Sequence, residues 1–328
     1  MVNLKKILSV LLRVSISIIL LALLFKLNRI DIRGLVNDIK GVNKLFLGAG
    51  FVVFFLGYLL GFLRWRMLLL AAGIRISWKK LVSSFSGGIF FSIFLPSTIG
   101  GDVVRSADLA EHTRKAKEVI ATVFLDRLSG YIGLVFVVLP AILLSRGLVL
   151  DRIVFSSVAV IIVLLVIILL VLFNSFIYSG ITRFLTTPGA ERIKEMIKDM
   201  HREIHIFRHR RRIIVYNLLL SFFIQIITPV SIYFIALSLG VKINFIYYLI
   251  FVPIIGAITL LPVAIGGLGL RESLFVVYFA KAGVIKQLAL AMSLLSFSFI
   301  VTYGAIGGFL YVLTVHHRRL QYNKPPPV

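Results

Sequence analysis

The chain has no cysteine and few charged residues, and both shortages exclude classes of protein. Without cysteine it cannot form disulfide bonds, thiolate metal sites or a cysteine nucleophile. Only 15% of its 328 residues are charged and 59% are hydrophobic, whereas roughly 25% of residues are charged in soluble proteins. A soluble fold with so little polar surface would aggregate. The composition and the mean hydropathy of +1.03 therefore predict an integral membrane protein.

Acidic residues are especially scarce. The chain has 13 Asp and Glu against 36 Lys and Arg, a net charge of +23. In a soluble protein this balance would suggest nucleic acid as a partner. In a membrane protein, basic residues beside the helices are attracted to the anionic inner leaflet. We therefore expect membrane lipids as partners and no nucleic acid.

Long apolar runs leave room for about eight transmembrane segments of ~20 residues each. The first uninterrupted run ends near residue 25. The others cover 45–63, 119–145, 153–174, 213–239 and 288–315. Two further runs, 81–99 and 245–265, lead into a Pro followed by a double Gly. Such Pro/Gly-broken helices leave backbone groups unpaired, so they must be wrapped in protein or line a wet cavity, as re-entrant hairpins or as broken crossings. We predict one all-α polytopic transmembrane domain over residues 1–328.

The distribution of basic residues predicts the orientation. With the N-terminus inside, the cytoplasmic segments hold 24 Lys and Arg and the segments on the other face hold 11. This bias predicts a multi-pass protein of the plasma (inner) membrane with both termini cytoplasmic.

An eleven-residue motif occurs twice. Residues 95–105 are LPSTIGGDVVR and residues 261–271 are LPVAIGGLGLR, so all shared positions lie 166 residues apart. This predicts a duplication, with a first repeat at about 45–145 and a second at about 213–315. Three crossings lie between the motif copies, and an odd number reverses the chain direction. The pattern therefore predicts the inverted repeats of secondary transporters, whose broken helices form the substrate site.

The repeated residues suit an anionic ligand. The glycine pairs, Gly100 with Gly101 and Gly266 with Gly267, are expected to turn the backbone with positive φ, so that the next helix starts with free amides, a ready anion site. Arg105 and Arg271 would add bidentate donors. The alternative is structural, with Arg105 paired to Asp102 or Asp108 and Arg271 to Glu272, or with snorkelling arginines.

Two further charges, Asp126 and Arg127, lie inside the apolar run that begins near residue 119. Neighbouring residues on a helix point ~100° apart, so at least one of them needs a partner elsewhere. The candidate partners are Asp102, Arg105, Arg271 and Glu272, which would join both repeats in one buried polar network. The alternative is a local pair at the membrane interface.

A basic amphipathic helix is predicted at about 189–212, on the cytoplasmic surface. His201, His205 and His209 recur there at a spacing that can bind zinc, but the surrounding Arg and Lys fit lipid headgroups better. We expect no metal, because the chain has no cysteine and because Arg and Lys crowd these histidines. We expect no cofactor, because the chain has neither a phosphate-binding loop nor a serine nucleophile elbow.

Three segments resemble the signatures of the flippase-like family that includes the transmembrane domain of the lysylphosphatidylglycerol synthases. They are LPSTIGGDVVR, DRLSG at 126–130 and LPVAIGGLGLRES at 261–273. The resemblance extends to about residue 315 and implies re-entrant elements and movement of a lipid between leaflets. By position, it implies these site residues: Pro96, Gly100, Gly101, Asp102, Arg105, Asp126, Arg127, Pro262, Gly266, Gly267, Arg271 and Glu272. We expect no synthetase domain after the membrane region, and hence no phosphatidylglycerol lysyltransferase activity.

The expected function is that of a lipid translocase rather than an enzyme. Its cargo would be an anionic or aminoacylated phospholipid, or a related lipid-linked headgroup. One alternative is a membrane-embedded transferase for lipid-linked substrates, with Asp126 or Glu272 as general base. Another is a scaffold for a lipid synthetase, and a homo-oligomer is also left open.

Overall fold

The chain folds into α-helices throughout the part that its computed structural model describes, which is residues 4–28, 30–95, 99–145, 148, 151–173, 211–261, 264 and 266–322. The helices are α1 (Leu4–Asn28), α2 (Ile32–Lys40), α3 (Lys44–Ala71), α4 (Trp78–Phe94), α5 (Ile99–Thr113), α6 (Ala116–Leu144), α7 (Arg152–Phe173), α8 (Arg211–Ser238), α9 (Phe245–Thr259), α10 (Leu270–Lys281) and α11 (Lys286–Tyr322). This confirms the prediction of an all-α polytopic membrane protein.

Some predictions fall on other residues. The amphipathic helix is predicted at 189–212. Its residues 189–210, which include the three histidines, lie outside the described residues. Pro96 and Pro262 of the repeated motif also lie outside them.

Five helices are long and apolar enough to cross a bilayer within the described ranges: α3, α6, α7, α8 and α11. Shorter apolar helices occur at Val14–Asn28 and in α9. The outer surface is apolar, as expected for contact with lipid. On α7, for example, the side chains of Val160, Val163 and Leu164 are all more than half exposed.

The two interrupted segments form antiparallel helical hairpins. In the first hairpin, α4 and α5, Lys80 near the start of α4 lies 2.6 Å from Asp108 near the end of α5. In the second, α9 and α10, the rings of Tyr248 and Phe279 lie 5.3 Å apart. Helices of 12 to 17 residues reach at most ~26 Å at 1.5 Å per residue, less than the ~30 Å hydrocarbon core. Each hairpin therefore returns to the side on which it began.

Capping side chains fix where both hairpins begin. The Ser77 side chain accepts a hydrogen bond from the Lys80 amide at the start of α4. The Asn244 side chain accepts one from the Ile246 amide at the start of α9. Each cap satisfies an amide that the first helical turn leaves unpaired.

The tips of the two hairpins touch. The backbone amide of Gly266 donates a hydrogen bond to the carbonyl of Leu95 at 3.4 Å. Gly266 has a φ of 56°, and a Cβ atom there would lie 2.8 Å from the Ile93 carbonyl oxygen. This contact needs glycine for both its conformation and its lack of a side chain.

The helices fall into two corresponding sets, α3–α6 and α8–α11. The members of the sets begin at residues 44 and 211, 78 and 245, 99 and 270, and 116 and 286, offsets of 167, 167, 171 and 170 residues. The first helix of each hairpin packs on the last helix of the other set: α4 packs on α11, and α9 packs on α6.

Corresponding helices α3 and α8 run antiparallel. The Asn43 amide, just before α3, donates to the Ser238 carbonyl at the end of α8 at 2.9 Å. Near the other end of α3, Arg64 bonds Ser221. Because α4 follows the end of α3 and α9 follows the end of α8, the two hairpins open toward opposite ends of the protein.

A surface ion pair joins α10 to α7. The Lys281 ammonium group donates a hydrogen bond to the Asp151 carboxylate at the start of α7. This bond lowers the pKa of Asp151 below its ordinary value. The pair lies at the end of the protein toward which the second hairpin opens.

Gly101→Ala should destabilise the first hairpin. A Cβ atom at Gly101 would lie 2.1 Å from the Gly88 carbonyl oxygen, so α4 and α5 would have to separate, at a cost of about 1–3 kcal/mol. Thermal unfolding in detergent measures the loss. Gly48→Ala is the matched control, because nothing lies within 4 Å of the added atom. An equal effect of both substitutions would contradict the close contact.

Candidate functional site

A cluster of five charged side chains lies where α3, α5 and α6 meet. At its centre, the Asp126 carboxylate accepts from Arg64 Nε at 2.7 Å through one oxygen and from Arg105 Nη2 at 3.0 Å through the other. Arg105 also donates to Asp102 at 2.9 Å. Asp102 in turn accepts from Arg127 Nε at 2.6 Å. The order Arg64, Asp126, Arg105, Asp102, Arg127 alternates in sign, and we call these residues the charged cluster.

Helix geometry places these groups. Asp102 and Arg105 are three residues apart on α5 and so lie on one face. Asp126 and Arg127 are neighbours on α6 and point in different directions, the first toward α3 and α5 and the second toward Asp102 alone. The charged cluster is buried, except that the Arg127 side chain is 35% exposed.

Aromatic rings shield the centre of the cluster. The Arg105 guanidinium carbon lies 4.5 Å from the ring of Trp65 and 5.7 Å from that of Phe85. The Trp65 indole also donates to the Thr122 hydroxyl at 3.3 Å. These contacts hold the Arg105 side chain by cation–π attraction as well as by ion pairing.

A polar cavity of about 300 Å³ borders the charged cluster. It lies between the first hairpin and helices α3, α6 and α11. Its lining consists of Tyr58, Gly61, Arg64, Phe85, Gly88, Ile89, Ser92, Gly101, Asp102, Arg105, Asp126, Arg127 and Ile300.

A second, apolar cavity of about 620 Å³ runs between α5 and α6. We call it the apolar groove. Two of its lining side chains, Val103 and Ile120, are 62% and 48% exposed on the outer surface. Asp102 and Arg127 line both the polar cavity and the groove. Their ion pair therefore stands between a charged interior and the lipid-facing surface.

The second hairpin holds a compact ion pair at the start of α10. Arg271 lies 2.5 Å from Glu272, and its guanidinium carbon lies 4.4 Å from the Phe297 ring. The other oxygen of Glu272 accepts from the Gly269 amide at 2.6 Å, which caps α10. Glu272 is fully buried. This pair holds the start of α10 in place.

Comparison with known proteins identifies the family. Residues 10–307 match the family described as the lysylphosphatidylglycerol synthase TM region. The chain belongs to this family. A UPF0104 membrane protein of Pyrococcus horikoshii is 25% identical over 272 residues, which cover 76% of this chain and 81% of the relative. Another, of Methanothermobacter thermautotrophicus, is 24% identical over 252 residues, 70% of this chain and 73% of the relative. The resemblance seen in the motifs is confirmed.

Of the ten expected site residues that the structure describes, five line the polar cavity and five do not. Those in the lining are Gly101, Asp102, Arg105, Asp126 and Arg127. Gly100 packs against Leu95 in the first turn of α5. The residues from the second motif, Gly266, Gly267, Arg271 and Glu272, lie at the tip of the second hairpin and outside that lining.

The glycine pairs differ between the motifs, contrary to the expectation of positive φ in both. Gly266 and Gly267 have φ values of 56° and 75° and form the turn before α10. Gly100 and Gly101 lie within α5 and are absent from the residues of positive φ. In the first motif the pair instead allows α5 to approach α4 closely.

Two of the four expected partners of Asp126 and Arg127 are observed. Asp102 and Arg105 do bind them, whereas Arg271 and Glu272 pair with each other. The contact with the second repeat is made by Arg64, whose Nη1 donates to Ser221 on α8 at 3.0 Å. The amide expected to be free at the start of α10 is bonded to Glu272.

Sequence reasoning missed Arg64, because it placed the end of the second span at residue 63. In the structure α3 continues to Ala71, and Arg64 is buried. The signal was available, since the apolar residues MLLLAA at 67–72 continue the helix beyond the arginine. Within the described residues no three His, Asp or Glu side chains converge in a way that could hold a metal ion.

Asp126→Ala should strongly destabilise the protein. It leaves Arg64 and Arg105 buried without their shared carboxylate, and breaking a buried ion pair costs about 3–5 kcal/mol. Thermal unfolding in detergent measures this. Asp151→Ala, which removes the surface partner of Lys281, is the control and should change stability little. Equal shifts in unfolding temperature would contradict the central place of Asp126.

Proposed function

We propose that this protein translocates a lipid between membrane leaflets. The cargo is an anionic or aminoacylated phospholipid, or a related lipid-linked headgroup. One observation carries the proposal: Asp102 and Arg127 are shared between the polar cavity and the apolar groove. A lipid has the same two-part character, so its headgroup can occupy the cavity while an acyl chain lies in the groove.

The binding site in this proposal consists of the charged cluster together with Gly101. A headgroup inside the hydrocarbon region loses its hydration, and unpaired polar groups there cost several kcal/mol. The arginines replace that hydration with charged hydrogen bonds. Gly101 contributes by admitting the close approach of α5 to α4, which places Arg105 at the cavity.

The two hairpins provide the means of alternating access. The first hairpin borders the polar cavity, whereas α10 of the second hairpin begins with the buried Arg271–Glu272 pair. Inverted structural repeats exchange such states when one half rocks against the other. Gly266, Gly267, Arg271 and Glu272 then act on the cargo indirectly, through the shape and position of the second tip.

The proposed orientation follows the basic residues. The first hairpin opens toward the end of the protein where α3 ends and α6 begins, which carries the larger share of Lys and Arg in the sequence. Under the positive-inside rule this end is cytoplasmic. The protein then lies in the plasma (inner) membrane with both termini in the cytoplasm and with its cavity in the cytoplasmic half.

A transferase has less support. Its general base would be Asp126 or Glu272. Asp126 accepts hydrogen bonds from two arginines, and Glu272 from an arginine and a backbone amide. Both carboxylates are therefore already engaged by donors of the protein itself.

Arg105→Gln should slow translocation of tail-labelled phosphatidylglycerol in proteoliposomes. Loss of one hydrogen bond to a charged group costs roughly 1.5–3 kcal/mol, which corresponds to a rate about tenfold lower or more. Bleaching of outer-leaflet label by dithionite measures the rate. Arg66→Gln is the matched control, because Arg66 stacks on Trp78 at 3.8 Å and does not line the cavity.

Thermal unfolding of each variant separates loss of function from loss of fold, and Arg105→Lys retains the charge as a second test. Wild-type rates in folded Arg105→Gln protein would refute the site. If the lipid moves no faster in vesicles with the wild-type protein than in protein-free vesicles, translocation of this lipid is refuted and a scaffold is favoured.

A further inference from the structure

We propose that the polar cavity selects a headgroup with one net negative charge, namely a phosphodiester, over zwitterionic and cationic headgroups. This inference rests on the proposed function and names the class of its cargo. Arg64, Arg105 and Arg127 face Asp102 and Asp126, and the other lining residues are uncharged. The lining therefore carries one positive charge without a counter-charge.

Such an excess charge is unfavourable inside a membrane protein. Ionised side chains within the hydrocarbon region usually pair with one another, because an unbalanced charge there is costly. A ligand with one negative charge restores neutrality. A zwitterionic headgroup leaves the excess in place, and a cationic headgroup, such as that of a lysyl-esterified phospholipid, increases it.

The hydrogen-bond donors of the cavity support the same class of ligand. Each arginine has five N–H donors and no acceptor. Arg127 uses only Nε, toward Asp102, so both of its terminal nitrogens lack an acceptor among the described residues. An arginine fork matches the two free oxygens of a phosphodiester. The 35% exposure of the Arg127 side chain makes these donors accessible.

The carboxylates of the cavity cannot serve an ammonium group equally well. Asp126 accepts from Arg64 and Arg105, and Asp102 accepts from Arg105 and Arg127. Each carboxylate is thus engaged by two guanidinium groups. An incoming amine would have to displace an arginine and would then lie beside the remaining positive charges, which repel it.

The test measures binding directly and does not depend on transport. The chain has two tryptophans, so Trp78→Phe leaves Trp65 as the sole tryptophan, 4.5 Å from Arg105, and excitation selective for tryptophan reports on it alone. The protein in detergent is titrated with dihexanoyl phosphatidylglycerol and, separately, with dihexanoyl phosphatidylcholine. We expect phosphatidylglycerol to change the Trp65 fluorescence with a Kd about tenfold lower or more, a difference of ~1.4 kcal/mol.

Variants that change the cavity charge should change the preference. In the Trp78→Phe background, Arg127→Gln makes the lining neutral and should remove most of the preference for phosphatidylglycerol. Asp102→Asn removes a negative charge, which raises the net positive charge of the lining, and should retain the preference. Arg66→Gln removes a positive charge outside the cavity lining and should leave both Kd values unchanged.

The outcomes separate this inference from the proposed function. Equal Kd values for the two lipids, binding of neither, or an unchanged preference in folded Arg127→Gln protein would overturn the charge selection, even if vesicles show translocation. Selective binding that is lost in Arg127→Gln would support it. Absence of transport in vesicles alongside selective binding would overturn only the translocase.

Discussion

The structure depends on one constraint, the placement of three arginines among apolar helices, two of them buried and Arg127 partly exposed. Guanidinium groups stay charged in proteins, so the fold must supply counter-charges inside the membrane region. Asp126 and Asp102 do so by bridging consecutive arginines. The bridges tie α3, α5 and α6 together, and they leave one positive charge unbalanced. The requirement for stability and the capacity to bind an anion thus come from the same side chains.

The contact between the hairpin tips turns two local interruptions into one central feature. Each tip alone would expose unpaired backbone groups, and the bond from Gly266 to Leu95 satisfies one from each side. The halves are not chemically equivalent around this contact. At the positions that correspond to Asp126 and Arg127 by the 170-residue offset between α6 and α11, the second half has Ser296 and Phe297. The charge is therefore concentrated in the first half, whereas the second half is mostly apolar.

Much of the architecture could be predicted because its signals stand out against an apolar background. A Pro, a Gly pair and an Arg at fixed spacing are rare in such a sequence, and they correctly located both hairpins. Contacts between distant helices could not be predicted in this way. Arg64 follows an apolar run as a membrane-flanking residue would, and its bond to Asp126 depends on how α3 packs on α6. The motif also could not reveal that Gly101 serves helix packing while Gly267 serves a turn, because the letters are identical.

One helix determines whether the two halves have inverted topologies. Helix α7 starts beside Lys281, at the end where the second hairpin opens. Leu172 near its other end belongs to the same apolar cluster as Ala121 near the start of α6. It returns the chain to the face from which α8 must depart. With α7 deleted, α8 would start on the same face as α3, and the two copies would insert in parallel. This single crossing thus gives one chain an inverted pair of repeats. Two separate identical subunits could form such a pair only by inserting in opposite orientations.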